Sequence, residues 1–215
     1  MICGIDEAGR GPVLGPLVVC GISVKSDEAL RKLGVKDSKQ LTPKRREELA
    51  KEIRKIAKVE VVEISAEEID QRRENVSLNE LEAEMFAQVL QRLSPEEVFV
   101  DAADVDEDGF GRMVQAHTTC TARMTSRHKA DETYPVVSAA SIIAKVERDR
   151  RIREIEQDIG EPIGSGYASD ENTMAFLESW VKRNGCCPPH TRKSWEPAQK
   201  IMMMKSVRKL ESFEG

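Results

Sequence analysis

Hydrophobic and polar positions along the chain change period several times. Residues 2–6 form a short apolar run ending in acid, and Leu17 to Val24 and Val59 to Ile64 are rich in Val and Ile, the pattern of strands. Val98-Phe99-Val100-Asp101 is another short buried strand ending in acid, and Ala122 to Ser126 a weaker one. Between these the period lengthens. Thr42-Pro43 pairs an N-cap with proline at the first helical position, and Leu49, Ile53 and Ile56 follow at helical spacing. Ser77-Leu78-Asn79-Glu80 is a capping box, with Leu78, Leu81, Met85, Val89 and Leu93 inward until Ser94-Pro95 ends the helix. Pro135 opens a long helix through Ile143, Val146 and Ile152, Gly164-Ser165-Gly166 breaks the chain, and helical stretches at about 172–184 and 194–212 close it. Strands with helices between them, then helices alone, predict an α/β core over residues 1–170 and a helical C-terminal extension over 171–215. Ligands of open α/β sheets gather at the carboxyl ends of strands. Two of these strands end on Asp6 and Asp101.

Composition narrows the class. The chain has 215 residues, 40% apolar and 33% charged, with no repeat or linker-like stretch. Runs such as Pro16 to Val19 and Ile201 to Met204 are far shorter than the ~20 residues a bilayer span requires. Paired acids at Asp6-Glu7 are unlike a secretory signal. A soluble cytoplasmic protein is expected. Five cysteines, an odd number, fit a reducing compartment, with Cys3 and Cys20 as buried small hydrophobes. His117-x-x-Cys120 and Cys187-x-x-His190 offer zinc-type ligands, but they are far apart in sequence and in no knuckle-like context. From Lys182 to Lys209 there are eight basic residues and one acid, although the whole chain carries −5. That segment is either a phosphate-backbone footprint or a solvated helix face, and charge does not separate the two.

The carboxylates are more informative. Asp6 and Glu7, Asp101 and Asp104, and Asp131 and Glu132 fall at or near element ends. Acids brought together raise one another's pKa unless a cation is present, and an oxygen-only set favours hard ions such as Mg²⁺ or Mn²⁺. Two such ions about 3.5–4 Å apart clamp a phosphoryl group between an activated water and a leaving oxygen. Taken singly, each pair reads better as surface caps or turn formers. Asp104-x-Asp106-x-Asp108-Gly109 matches half of a calcium loop, but Gln115 stands where a bidentate Glu belongs. Gly9-Arg10-Gly11 is not a phosphate loop of known spacing, and no nucleophile elbow is present.

Gly4-Ile5-Asp6-Glu7-Ala8-Gly9-Arg10-Gly11-Pro12 closely resembles the opening of type 2 ribonuclease H, the ribonuclease HII family. The resemblance continues through Asp37-Ser38-Lys39-x-Leu41, Val100-Asp101, His128-Lys129-Ala130-Asp131, Ala139 to Lys145, and Gly164-Ser165-Gly166-Tyr167-x-Ser169-Asp170. Arg192-x-Ser194-Trp195 and the helical C-terminus look most like the archaeal branch. Gln40 and Glu171 depart from the usual pattern without touching the chemistry.

The resemblance implies a ribonuclease H-like mixed five-stranded sheet flanked by helices. It implies metal-dependent hydrolysis of the RNA strand of RNA·DNA hybrids, and nicking of duplex DNA 5′ of embedded ribonucleotides, leaving a 3′-hydroxyl and a 5′-phosphate. Asp6, Glu7, Asp101 and Asp131 become the catalytic metal ligands, with Asp104 and Glu132 behind them or on the surface. Because adjacent strand residues face opposite ways, either the strand ends between Asp6 and Glu7 or Glu7 contributes its backbone carbonyl. Gly9, Arg10, Gly11 and Tyr167 are implied to sense the junction from ribonucleotide to deoxyribonucleotide. Lys39 and Lys145 are candidate phosphate contacts, and His128 is either a proton shuttle or a structural neighbour of Asp131. A monomer is expected, with a sliding clamp as a possible partner. Two rivals remain: a carboxylate-metal phosphatase for small phosphate esters, and a non-catalytic hybrid-binding module.

Overall fold

A computed structural model describes residues 1–35 and 41–211, with side chains through Met204. Five strands, β1 (Ile2–Ala8), β2 (Leu17–Val24), β3 (Lys58–Ile64), β4 (Glu97–Asp101) and β5 (Arg123–Arg127), form one mixed sheet in the order β3-β2-β1-β4-β5. β1 runs antiparallel to β2 and parallel to β4, and β4 is parallel to β5. The strand expected over residues 2–6 continues to Ala8, so Glu7 pairs with Val19 as regularly as Asp6 pairs with Cys20.

The helices are α1 (Glu28–Leu33), α2 (Pro43–Ile56), α3 (Ala66–Arg72), α4 (Leu78–Leu93), α5 (Glu107–Ala116), α6 (Ala130–Thr133), α7 (Pro135–Ile159), α8 (Glu171–Asn184) and α9 (Glu196–Glu211). The caps read from sequence form: Thr42 Oγ1 accepts from the Arg45 N–H at 3.3 Å, and Ser77 Oγ from that of Glu80 at 3.1 Å. Four short helices, α1, α3, α5 and α6, leave no mark in the periodicity. The half-calcium motif is one of them in disguise. Asp106 caps α5 by accepting the Gly109 N–H at 2.9 Å, and Asp104 accepts from Asn79 and from the Asp106 N–H.

Two compact units make up the described chain. The first comprises residues 1–8, 17–63 and 75–148 and holds the sheet. On one face of the sheet lies the first half of α7, whose Val136, Val137, Ala139, Ala140, Ile142, Ile143 and Ala144 are buried with Cys20, Ile22, Val24, Leu49 and Ile53. The approach is tight at Gly4, where a Cβ would lie 2.2 Å from the main-chain carbon of Val136. Any side chain there would push the helix off the strand. α4 covers the other face, and its Phe86 meets Phe110 of α5 edge-on at 5.2 Å. The second unit comprises residues 9–16, 64–74 and 149–211, around a core that includes Val13, Leu14, Ile152, Ile163, Phe176, Leu177 and Val181. Among the described residues no helix is long and apolar enough to cross a membrane.

Candidate active site

Strand alternation places Asp6 on the same face as Ile2 and Gly4, the face toward α7. The parallel register ends with Ile5 opposite Val100, so the next residue on each strand is an aspartate, Asp6 on β1 and Asp101 on β4. The third acid arrives from a turn. Lys129, at φ +55°, bends the chain from β5 into α6, and Asp101 Oδ1 accepts the Ala130 N–H at 2.8 Å. Asp131 follows immediately, 2% exposed, its carbonyl accepting from the Ser138 hydroxyl of α7. One carboxylate oxygen from each of Asp6, Asp101 and Asp131 lies within 4.8 Å of the other two.

Such a cluster is electrostatically frustrated. Burial above all, then the charges of Glu7 and Asp101, push the Asp6 carboxyl well above the usual carboxylate range. A hydrogen bond from the Ser141 hydroxyl and one from the Glu7 N–H, at 2.7 Å, work against that rise without overcoming it. Three convergent carboxylates, two of them buried, with no nitrogen or sulfur donor in the set, fit a hard divalent cation, whose charge would offset this repulsion. Glu7 lies outside the set of three. Because β1 continues through it, the first of the two options for Glu7 is removed.

In the second unit a loop, residues 9–16, follows β1 directly. Gly9 has φ +93°, which a side chain would strain. Gly11 is exposed, and a Cβ there would meet nothing within 4 Å. The loop is hydrogen-bonded to the Gly-Tyr turn: the Gly166 carbonyl accepts the N–H groups of Val13 at 2.9 Å and Leu14 at 3.1 Å. Tyr167, half-buried, is the next residue.

A family model described as ribonuclease HII matches residues 3–198. The chain belongs to the ribonuclease HII family. A ribonuclease HII of Methanoregula boonei is 45% identical over 99% of this chain and 100% of its own length. The crystal structure of ribonuclease H2 from Pyrococcus horikoshii superposes with TM-score 0.87 at 47% identity, covering 94% of this chain and 97% of that one. A structure of the PCNA:RNase HII complex from Archaeoglobus fulgidus gives TM-score 0.87 at 46% identity, covering 94% and 96%. Membership makes the protein a ribonuclease H hydrolase, and the five-stranded mixed sheet expected of a ribonuclease HII is the one observed.

The ribonuclease HII motifs single out further residues. Lys145 lies one turn beyond Ser141 on α7 and so shares its stripe of the helix. Lys39 lies outside the described residues. His128 turns its ring to the Val105 carbonyl, at 3.3 Å, and its N–H to Glu107. Glu132 is exposed and pairs with Lys129 at 3.7 Å. Of the zinc-type ligands, the His117 ring bonds Glu80 at 2.8 Å, the His190 ring lies 4.0 Å from Glu67, and Cys120 and Cys187 are free thiols.

Two residues carry roles that the sequence pattern does not signal. Ser141 sits in an apolar stretch of α7, and nothing but its polarity there marks it as the partner of Asp6. Arg192 falls within the basic segment, and the structure corrects its place there: it is fully buried. Arg183 of the same segment pairs with Glu161 at 2.7 Å and Lys200 with Glu196 at 2.6 Å, which leaves Lys182 and Lys193 exposed before residue 205.

Proposed function

We propose that the protein is an endoribonuclease that hydrolyses the RNA strand of RNA·DNA hybrids and nicks duplex DNA 5′ of an embedded ribonucleotide, leaving a 3′-hydroxyl and a 5′-phosphate. The observation that carries this reading is the convergence of Asp6, Asp101 and Asp131 within 4.8 Å in a chain of this family. A non-catalytic module would have no use for three mutually repelling acids, since they cost stability without contributing basic surface.

Asp6, Asp101 and Asp131 would hold two divalent ions, Mg²⁺ or Mn²⁺, with Glu7 contributing through its backbone carbonyl. Bound ions supply an activated water and charge neutralisation at the phosphate. The chain's own residues do the rest. Ser141 donates a hydrogen bond to the Asp6 carboxylate, which favours its ionised form and aims it. Lys39, Lys145 and Arg10 contact phosphates. Gly11 leaves open space against which a sugar fits, and Tyr167 packs on the deoxyribose that follows the ribonucleotide. In this division of labour residues 1–170 carry every one of these groups, and 171–215 form the helical extension.

The setting is cytoplasmic removal of ribonucleotides from DNA and of RNA left by replication, by a monomer. A sliding clamp is a proposed partner, supported by the PCNA complex of the Archaeoglobus fulgidus relative. The experiment is cleavage of an end-labelled DNA duplex containing one ribonucleotide, with Mg²⁺ and with EDTA. Cleavage on the 5′ side of the ribonucleotide, only with metal, is expected. Absence of cleavage with metal, or turnover of a simple phosphate ester instead, would refute the assignment.

A further inference from the structure

Arg192 carries a guanidinium with no exposure to solvent. Its Nε–H donates to the carbonyl of Gly15 at 3.0 Å, Nη1 to that of Arg10 at 2.8 Å, and Nη2 to that of Gly9. Its own N–H donates to the Val13 carbonyl at 2.9 Å. The residue is held in turn. Its guanidinium lies over the Trp195 ring at 4.9 Å, and Asp70 of α3 accepts the N–H groups of Lys193 and Ser194 and the Ser194 hydroxyl at 2.6–3.1 Å. All of these residues belong to the second unit.

Burying a guanidinium is costly unless its donors are satisfied, so such a group persists where its fork fixes something. What it fixes here is the direction of two peptide planes. In a trans peptide the C=O and N–H point opposite ways. With the carbonyls of Gly9 and Arg10 turned inward onto Arg192, the N–H groups of Arg10 and Gly11 are turned the other way, away from the buried guanidinium, and Gly11 itself is exposed. We propose that Arg192 is a positioning residue for ribonucleotide recognition. It never touches substrate, but it aims the Arg10 and Gly11 N–H donors at the hydroxyl-bearing sugar. A lysine could not replace it, because one ammonium cannot span three carbonyls in a fixed planar fork. This inference rests on the loop's role proposed above.

The test compares kcat/KM on two substrates, a DNA duplex with one ribonucleotide and an all-RNA·DNA hybrid, for the wild type, Arg192→Lys and Asp70→Asn. A single ribonucleotide offers one register for the donors to meet, whereas a hybrid offers many. Misaimed donors should therefore cost about tenfold more on the first substrate than on the second, as a reduction in kcat with KM little changed. Any loss of folded protein cancels in the ratio of the two rates. Asp70→Asn loosens the segment carrying Arg192 without stranding a buried charge, and should shift the ratio in the same direction by less; it decides the matter if Arg192→Lys does not fold. A ratio equal to that of the wild type in the folded variants overturns the inference and leaves the proposed function standing. A wild type inactive on the single-ribonucleotide duplex overturns both.

Discussion

Replacing Asp6 with asparagine should abolish cleavage and, in the absence of metal, make the protein more stable. The substitution keeps the shape of the side chain and an oxygen to accept the Glu7 N–H, while removing one charge from a set of three lying within 4.8 Å of one another. Two unit charges at that separation repel by about 3.5 kcal/mol at an effective dielectric of ~20. Asp6 takes part in two such pairs, but the gain stays well below their sum, because Asp6 escapes much of the repulsion by retaining a proton. Relief of about 1–3 kcal/mol is the realistic range, which for a chain of this size is a rise in melting temperature of roughly 3–9 °C. The pH dependence has a definite sign. A carboxyl whose pKa is raised by folding stabilises the folded state below its unfolded value, near ~3.9, and that contribution is lost as pH rises through the folded value. Metal-free wild type should thus lose stability between acid and neutral pH on account of Asp6, and the Asp6→Asn protein should lose less. Added Mg²⁺ should raise the wild-type melting temperature, since a ligand at a hundred times its Kd contributes about 2.7 kcal/mol, and should barely move the variant. Circular dichroism melts at pH 5 and pH 8, in EDTA and in Mg²⁺, measure all of this. A metal-free Asp6→Asn protein that melts no higher than wild type at pH 8, or one that cleaves at the wild-type rate, would refute the reasoning.

Tyr167→Ala should lose far more activity on a single embedded ribonucleotide than on an all-RNA hybrid, with Tyr167→Phe separating the hydroxyl from the ring; equal losses on both substrates would reduce Tyr167 to a structural role. Truncation near residue 190 would remove Arg192 with the tail, so the phosphate-tracking idea is better tested by neutralising Lys205, Arg208 and Lys209 together. For every phosphate that these charges neutralise, the slope of log Kobs for hybrid binding against log salt should flatten by about 0.9, and an unchanged slope would assign them to solvent. Gly4→Ala drives a methyl to within 2.2 Å of the α7 main chain and should destabilise by at least ~1–3 kcal/mol, read as a lower urea midpoint.

Much of the site can be read in the sequence because it depends on strand ends. Asp6 and Asp101 terminate apolar runs, and parallel pairing of those runs brings the two acids side by side. What stays hidden depends on tertiary geometry. Asp131 reaches the other two through a left-handed turn at Lys129, a conformation for which lysine gives no signal. Ser141 looks like any small residue on a packed helix face until the strand it faces is known. The short helices α1, α3, α5 and α6 span too few turns to set up a periodicity, and the caps of α5 imitate a calcium loop. Arg192 shows most clearly where charge counting stops: a basic residue among basic residues reads as surface, and only the fold reveals three backbone carbonyls waiting for it.

The position of β1 in the sheet has a consequence for how the protein is made. β1 can pair with β2 once about the first two dozen residues are synthesised, yet its other neighbour begins at Glu97, and the helix that covers Gly4 and bonds Asp6 begins at Pro135. At translation rates of about 5–20 residues per second the nascent chain carries an unpaired β1 edge, flanked by apolar residues, for roughly 5–20 s. That edge is a template for adhesion to other chains until β4 docks. The three acids stay apart throughout this interval, so the ribosome-bound chain has no triad with which to capture a cation or cut nucleic acid. Competence arrives late, with the emergence of Asp131 and α7.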